Sequence, residues 1–197
     1  MSKRLLSGLG LALLTACAPK GQVEGDVFYL SKGGDVKHGA GLTVELLRSD
    51  SLLPALDENC RRYRTKYAPL ECQMNPAAPC TTFTRSADWH EPFRQADSLW
   101  ASTMLRADSI IATRVVRRTN SGANSHYLFT EVPSGEYFIF TRWGVGVQDT
   151  SADMPLTAGL PEHLYQWLSP VDVRGAKLKL DLDTDGESGG RIYCGIK

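Results

Sequence analysis

Apolar and polar residues alternate with a period of two in several short runs of this chain and with a period near 3.6 in two longer ones. QVEGDVFYL, residues 22–30, mixes β-branched and aromatic side chains and predicts a first strand, with Gly25 as a bulge. After the glycine-rich loop SKGGDVKHGAG, Leu42, Val44 and Leu46 alternate with polar neighbours in LTVELL and predict a second. IIATRVVRRTN, HYLFTEV and EYFIFTRW follow much later, separated by the turns SGANS and PSG, and read as an antiparallel meander of three strands. A loop to about Pro161 precedes a further strand in HLYQWLSPVDV. The last, AKLKLDLD, puts Leu178, Leu180 and Leu182 on one face and Lys177, Lys179, Asp181 and Asp183 on the other.

Between the second strand and the meander the period changes. Leu52, Leu53, Leu56, Cys60 and Tyr63 stand at helical spacing behind the capping run SDS, and Pro54 fits only if it lies in the first helical turn. In EPFRQADSLWASTMLRAD, residues Phe93, Ala96, Leu99, Trp100, Thr103, Met104 and Ala107 form a single stripe, the pattern of a helix packed on a core. The chain is therefore expected to be mainly β, an antiparallel sandwich of about seven strands, with a small helical, cysteine-bearing insertion at about 50–110.

The leader MSKRLLSGLGLALLTAC changes the picture of where this domain works. Lys3 and Arg4 precede an apolar stretch, Leu5 to Leu14, too short to span a bilayer, which needs about 20 residues. Leu14-Thr15-Ala16-Cys17 resembles the lipobox of bacterial lipoproteins, which implies cleavage before Cys17 and acylation of its thiol; the alternative is an ordinary cleaved signal with an incidental cysteine. Residues 1–16 are then a signal peptide, 17–21 a short tether and 22–197 the domain. Two or three acyl chains anchor a protein stably where one does not. In this family an Asp after the cysteine favours the inner membrane, and Ala18 stands there, so the expected location is the cell envelope, lipid-anchored in the outer membrane.

Removing residues 1–16 takes Lys3 and Arg4 from the 22 basic residues and leaves all 22 acidic ones, a formal charge of −2 on 181 residues. That argues against a nucleic-acid partner, which needs a concentrated basic surface. Besides Cys17, four cysteines remain: Cys60, Cys72, Cys80 and Cys194. In an exported chain they are expected to form two disulfides, in one of three connectivities. The turn-rich MNPAAP favours Cys72–Cys80, which leaves Cys60 for Cys194. Their wide gaps do not suit zinc.

VEGDVFYLSKGGDVKHGAGLTVELL resembles the start of carboxypeptidase regulatory-like domains, a transthyretin-like β-sandwich family, and HYLFTEVPSGEYFIF resembles that family's later signature at Phe129, Val132, Pro133, Gly135 and Tyr137. The resemblance implies a transthyretin-like or immunoglobulin-like sandwich and a non-catalytic role as folding support, spacer or binding module. In the family the two pieces lie close together. Here some seventy residues intervene, carrying three of the four cysteines, and individual function is expected there.

Candidate chemistry is sparse. Asp88, His90 and Glu91 in RSADWHEP could ligate a metal or act as a base, but the spacing lacks H-E-x-x-H and reads as a helix entrance. No G-x-S-x-G elbow or phosphate-binding glycine loop is present, so no cofactor is expected, and an enzyme, an envelope hydrolase, would need a site assembled in space. Trp89 and Trp143 are the candidates for exposed platforms on a carbohydrate-binding module, whereas Trp100 fits the helical stripe. Arg61, Arg62, Arg64 and Lys66 could meet anionic headgroups or form a solvated face, and Arg114, Arg117 and Arg118 could pair with neighbouring carboxylates. Asp181, Asp183 and Asp185 start like an EF-hand loop, but position 12 is Ile192 and no helix precedes, so a charged strand end is the better reading. The leading expectation is a non-enzymatic envelope lipoprotein that binds an envelope protein or glycan or gives structural support.

Overall fold

The computed structural model describes residues 19–30, 34–75, 90–145 and 163–183, together with Cys194. Among these residues nine strands and two helices follow one another: β1 (Lys20–Asp26), β2 (Phe28–Leu30), β3 (Val36–His38), β4 (Thr43–Arg48), α1 (Leu52–Met74), α2 (Glu91–Ala112), β5 (Val115–Asn120), β6 (His126–Pro133), β7 (Gly135–Val145), β8 (His163–Val173) and β9 (Lys177–Lys179). One sheet has the order β6-β1-β9, a second the order β5-β4-β7-β8, and β2 and β3 form a short ribbon. The two larger sheets enclose a core of Val23, Val27, Val44, Leu46, Tyr127, Phe129, Val132, Ile139, Trp167, Val173 and Leu182. This is the expected mainly β sandwich.

The four-stranded sheet is covered on its other face as well. Leu47, Phe138, Phe140 and Leu168 point away from the inter-sheet core and meet Leu52, Leu56, Ala107 and Ile111 of the helices. This explains why YFIF, residues 137–140, is apolar at every position: a strand buried on both faces reads as a continuous apolar run. The helices pack antiparallel, with Asn59 Nδ2 donating to the Thr103 carbonyl at 3.1 Å and the rings of Tyr63 and Trp100 6.0 Å apart. Pro54 lies in the first turn of α1, as required. The helical segment is thus a third layer of the core and not a small appendage.

Other expectations need correction. The meander does not form: β5 pairs with β4, β6 with β1, and β7 with both β4 and β8. The turns after β5 and β6 therefore arch between sheets. Ile110 and Ile111, read as strand, close α2 instead, because Ile111 fills the space above the sheet, and β-branched propensity yields to that burial. β9 runs parallel to β1, an exception to the antiparallel rule, and the pairing continues through Leu180 N–H to Glu24 O and Leu182 N–H to Asp26 O. Gly25 is not a bulge. The register shift lies between Gly21 and Val23, while a Cβ on Gly25 would overlap the Leu180 carbonyl group, 2.6 Å from its carbon.

Candidate functional site

Beyond the part of the helix pair that covers the sheet, α1 and α2 pack on each other and, among the described residues, on Cys194. Cys60 is bonded to Cys194 across 134 residues, with Cα atoms 4.9 Å apart, and the pair is buried with Tyr63, against Tyr67, Leu99 and Trp100. This bears out the pairing expected from sequence. Cys72 is disulfide-bonded as well, and Cys80, its expected partner, lies outside the described residues.

Above this disulfide the helices part to form an open cleft of about 440 Å³, lined by Tyr63, Tyr67, Glu71 and Asn75 from the α1 side and Phe93, Asp97 and Trp100 from α2. Tyr63, Tyr67 and Glu71 stand at i, i+4 and i+8, so helix geometry stacks them along one face. Tyr67 lies parallel to Tyr63, at 5.3 Å and 18°, and Trp100 meets Tyr63 edge-on at 68°. The ring planes of Tyr67 and Trp100 therefore stand at a steep angle to each other, and Phe93, 45 % exposed, lines the same cleft. Burial, reinforced by Tyr67, Asp97 and Glu71, pushes the Tyr63 phenol up to about 12. The phenol stays neutral, and the described lining includes two carboxylic acids and no Lys or Arg.

The other candidates fall elsewhere. Cys17, Trp89, Asp88 and Asp185 lie outside the described residues. Trp143 is half-buried beside the inter-sheet core, edge-on to Tyr29 at 5.0 Å, and Tyr29 stacks on Tyr165 at 4.6 Å. Trp167 is fully buried and its indole N–H donates to the Asp183 carbonyl. Asp181 caps the Asp26 N–H at 3.0 Å and pairs with Lys179 at 3.1 Å, while Lys177 holds Glu24 at 2.8 Å and lowers its pKa. Asp181 is therefore part of a charged ladder on the outer face of β1 and β9, and no group of three His, Cys, Asp or Glu among the described residues could hold a metal. Glu91 pairs with Arg94 at the start of α2. Glu58 holds both Arg61 and Arg62 at 2.7 Å, and Arg64 donates to the Cys194 carbonyl at 3.3 Å, so the basic run is largely engaged within the fold. Arg118 pairs with Glu45, Arg117 donates to the carbonyls of Thr130 and Glu131, and Arg114 donates to Ser51 Oγ.

The helical periods put Tyr63 and Trp100 in two packing stripes, and no sequence motif marks Tyr67, Glu71 or Asp97. The available signal was the paired i, i+4 spacing of aromatic and acidic residues on both helices. No described helix is long and apolar enough to cross a membrane.

No family model and no curated protein matches the chain. Among solved structures it is similar to a Pseudomonas aeruginosa protein provisionally described as carbohydrate binding, at 17% identity and a TM-score of 0.42, covering 86% of this chain and 92% of that one. It is also similar to a minor pilin of Streptococcus agalactiae, at 9% identity and a TM-score of 0.34, covering 85% of this chain and 44% of the pilin. A pilus backbone protein of Streptococcus pneumoniae matches at 10% identity and a TM-score of 0.20, covering 80% of this chain and 40% of that one. Likeness at these values assigns no function.

Proposed function

We propose that the chain is a lipid-anchored, non-enzymatic binding module of a bacterial cell envelope, in which the sandwich is the base and the helix pair carries the binding site. The observation that carries this reading is the open aromatic and acidic cleft between Tyr67 and Trp100, built on a layer pinned by the Cys60–Cys194 disulfide. A concave site with aromatic walls and a few polar groups is the usual form of a ligand pocket. The resemblance to carboxypeptidase regulatory-like domains is supported by the positions of Phe129 and Val132 in the inter-sheet core and of Tyr137 packed against it.

The tether rests on Cys17 and its lipobox. Pro19 gives it a direction: its carbonyl accepts both the N–H and the hydroxyl of Ser134, at 3.2 and 2.7 Å, and a Cβ on Gly175 would meet its ring. Two residues of extended chain reach about 7 Å at most. Acylated Cys17 would hold the β6–β7 and β8–β9 turns against the bilayer.

Two coupled measurements test the proposal. Wild-type chain is expected to incorporate labelled palmitate and to sediment with membranes, while Cys17→Ser is released. The released chain should then rebind envelope fragments from cells lacking the protein, and Tyr67→Arg, which fills the cleft, should not. Palmitate label on Cys17→Ser, or equal rebinding by Tyr67→Arg, would contradict it.

A further inference from the structure

We propose that the exposed face of α1 between Glu58 and Lys66 binds the phosphate groups of an anionic polymer, through Arg62 and Lys66 with Arg61 beside them. This is a second site, beyond the binding-module reading and independent of the cleft, whose α1 residue Tyr63 is buried. Three observations point to it.

The first is local charge. The mature chain is formally −2, yet within residues 57–66 Arg61, Arg62, Arg64 and Lys66 stand against Asp57 and Glu58, a local excess of two positive charges. The Arg61 and Arg62 side chains are 69 % and 54 % exposed, and Lys66 is exposed as well. A positive patch on a chain of the opposite net sign draws anions to that face alone. The second is the way Glu58 orients its two arginines. It accepts Arg61 Nε and Nη2 at 2.7 and 2.8 Å and Arg62 Nε at 2.7 Å. Hydrogen bonds from Arg61 and then Arg62 lower its carboxyl to about 2, so it stays ionised. Both of its oxygens are thereby used, while the terminal nitrogens of Arg62 and Lys66 Nζ have no partner among the described residues. The third is spacing. Glu58 and Arg62 follow the favourable order, an acid four residues before a base, but Lys66 repeats the cation four residues on. Like charges at that spacing repel, and an anion between them relieves the repulsion. Arginine and lysine together suit phosphate, whose tetrahedral oxygens accept from both, whereas one carboxylate is used up by a single clasp of the kind Glu58 makes. On so exposed a face a lone phosphate is held weakly against water and salt, and a polymer gains by offering several. Arg62 and Lys66 stand about 6 Å apart along the helix axis, so neighbouring phosphates of one polymer can meet both.

The test titrates the Cys17→Ser chain, which carries no acyl group, with polyphosphate, inorganic phosphate, polyglutamate and phosphatidylglycerol vesicles. Polyphosphate should bind and saturate, with the other three at least about tenfold weaker. The double variant Arg62→Ala/Lys66→Ala should weaken polyphosphate by about tenfold or more and reduce the slope of log affinity against log salt by about 2, with the melting temperature little changed. Arg106→Ala, which removes an exposed cation from α2, should change affinity by less than about twofold. Failure of polyphosphate to bind would overturn the proposal, as would an unchanged affinity and salt slope in the double variant, or an equal loss in Arg106→Ala. Equal binding of polyglutamate would overturn the preference for phosphate, and equal binding of inorganic phosphate or of vesicles would overturn the polymer as its source.

Discussion

Gly25 shows how a single position can be read correctly as special and wrongly as to why. A glycine inside a strand marks either a bulge or a close approach of another backbone, and here the parallel strand from Lys177 to Leu182 passes directly over it. Gly25→Ala is expected to cost about 2–4 kcal/mol, because the obstacle is a backbone carbonyl and not a movable side chain. Denaturant midpoints measure this, and a loss below about 1 kcal/mol would show that β9 can shift away. Tyr63 makes a second residue-scale prediction. Its folded pKa, about 12, lies above the ordinary 10.0, so the stability it contributes is complete below about pH 10 and is lost as pH rises from there toward 12. Tyr127, which donates to the Leu180 carbonyl, is also raised by burial. Phenolate absorbance should therefore show a late component, smaller in Tyr63→Phe; ionisation of all tyrosines in one step would contradict the burial seen.

At the scale of elements, local patterning was legible wherever one face of a segment meets the core. The alternation in AKLKLDLD placed Leu182 inward and Lys177 and Lys179 outward, as found. The helical stripe located Leu52, Leu56 and Ala107 correctly. Pairing was not legible, because which strand lies beside which depends on non-local packing that no period encodes; three strands with short links looked like a meander and were distributed over two sheets. The helical layer was underrated for a related reason. Its role depends on the apolar positions Phe138, Phe140 and Leu168, which sit far away in sequence and are exposed unless something covers them. Deleting residues 50–112 should therefore unfold or aggregate the chain instead of leaving an intact sandwich, as judged by chromatography and circular dichroism; a monomeric, cooperatively melting remnant would contradict this. The disulfide contributes at the same scale. Replacing Cys60 and Cys194 by Ala opens a 134-residue loop and is expected to lower stability by about 3–5 kcal/mol. Hydrogen exchange should quicken first in α1 beyond Cys60, and an unchanged unfolding midpoint would show that packing alone holds the helices.

At the scale of the whole molecule, the described parts form an ordered series that the proposed acyl anchor at Cys17 would extend: the sandwich end around Pro19, Ser134 and Gly175, the four-stranded sheet, and a helix pair 23 and 22 residues long, about 34 Å, which carries the cleft. The proposed anchor rests on the sequence alone, since a targeting signal is short and contiguous. The cleft was not legible there, because it depends on two helices meeting at a chosen register, so that Tyr67 and Trp100, separated in sequence, face one space. The most direct measurement of the central claim is photo-crosslinking in intact cells, with a crosslinking residue placed at Tyr67 in the cleft or at Thr130 on the opposite sheet. Discrete adducts are expected from the Tyr67 position and none from Thr130; adducts from Thr130 alone, or equally from both positions, would contradict the placement of the binding site.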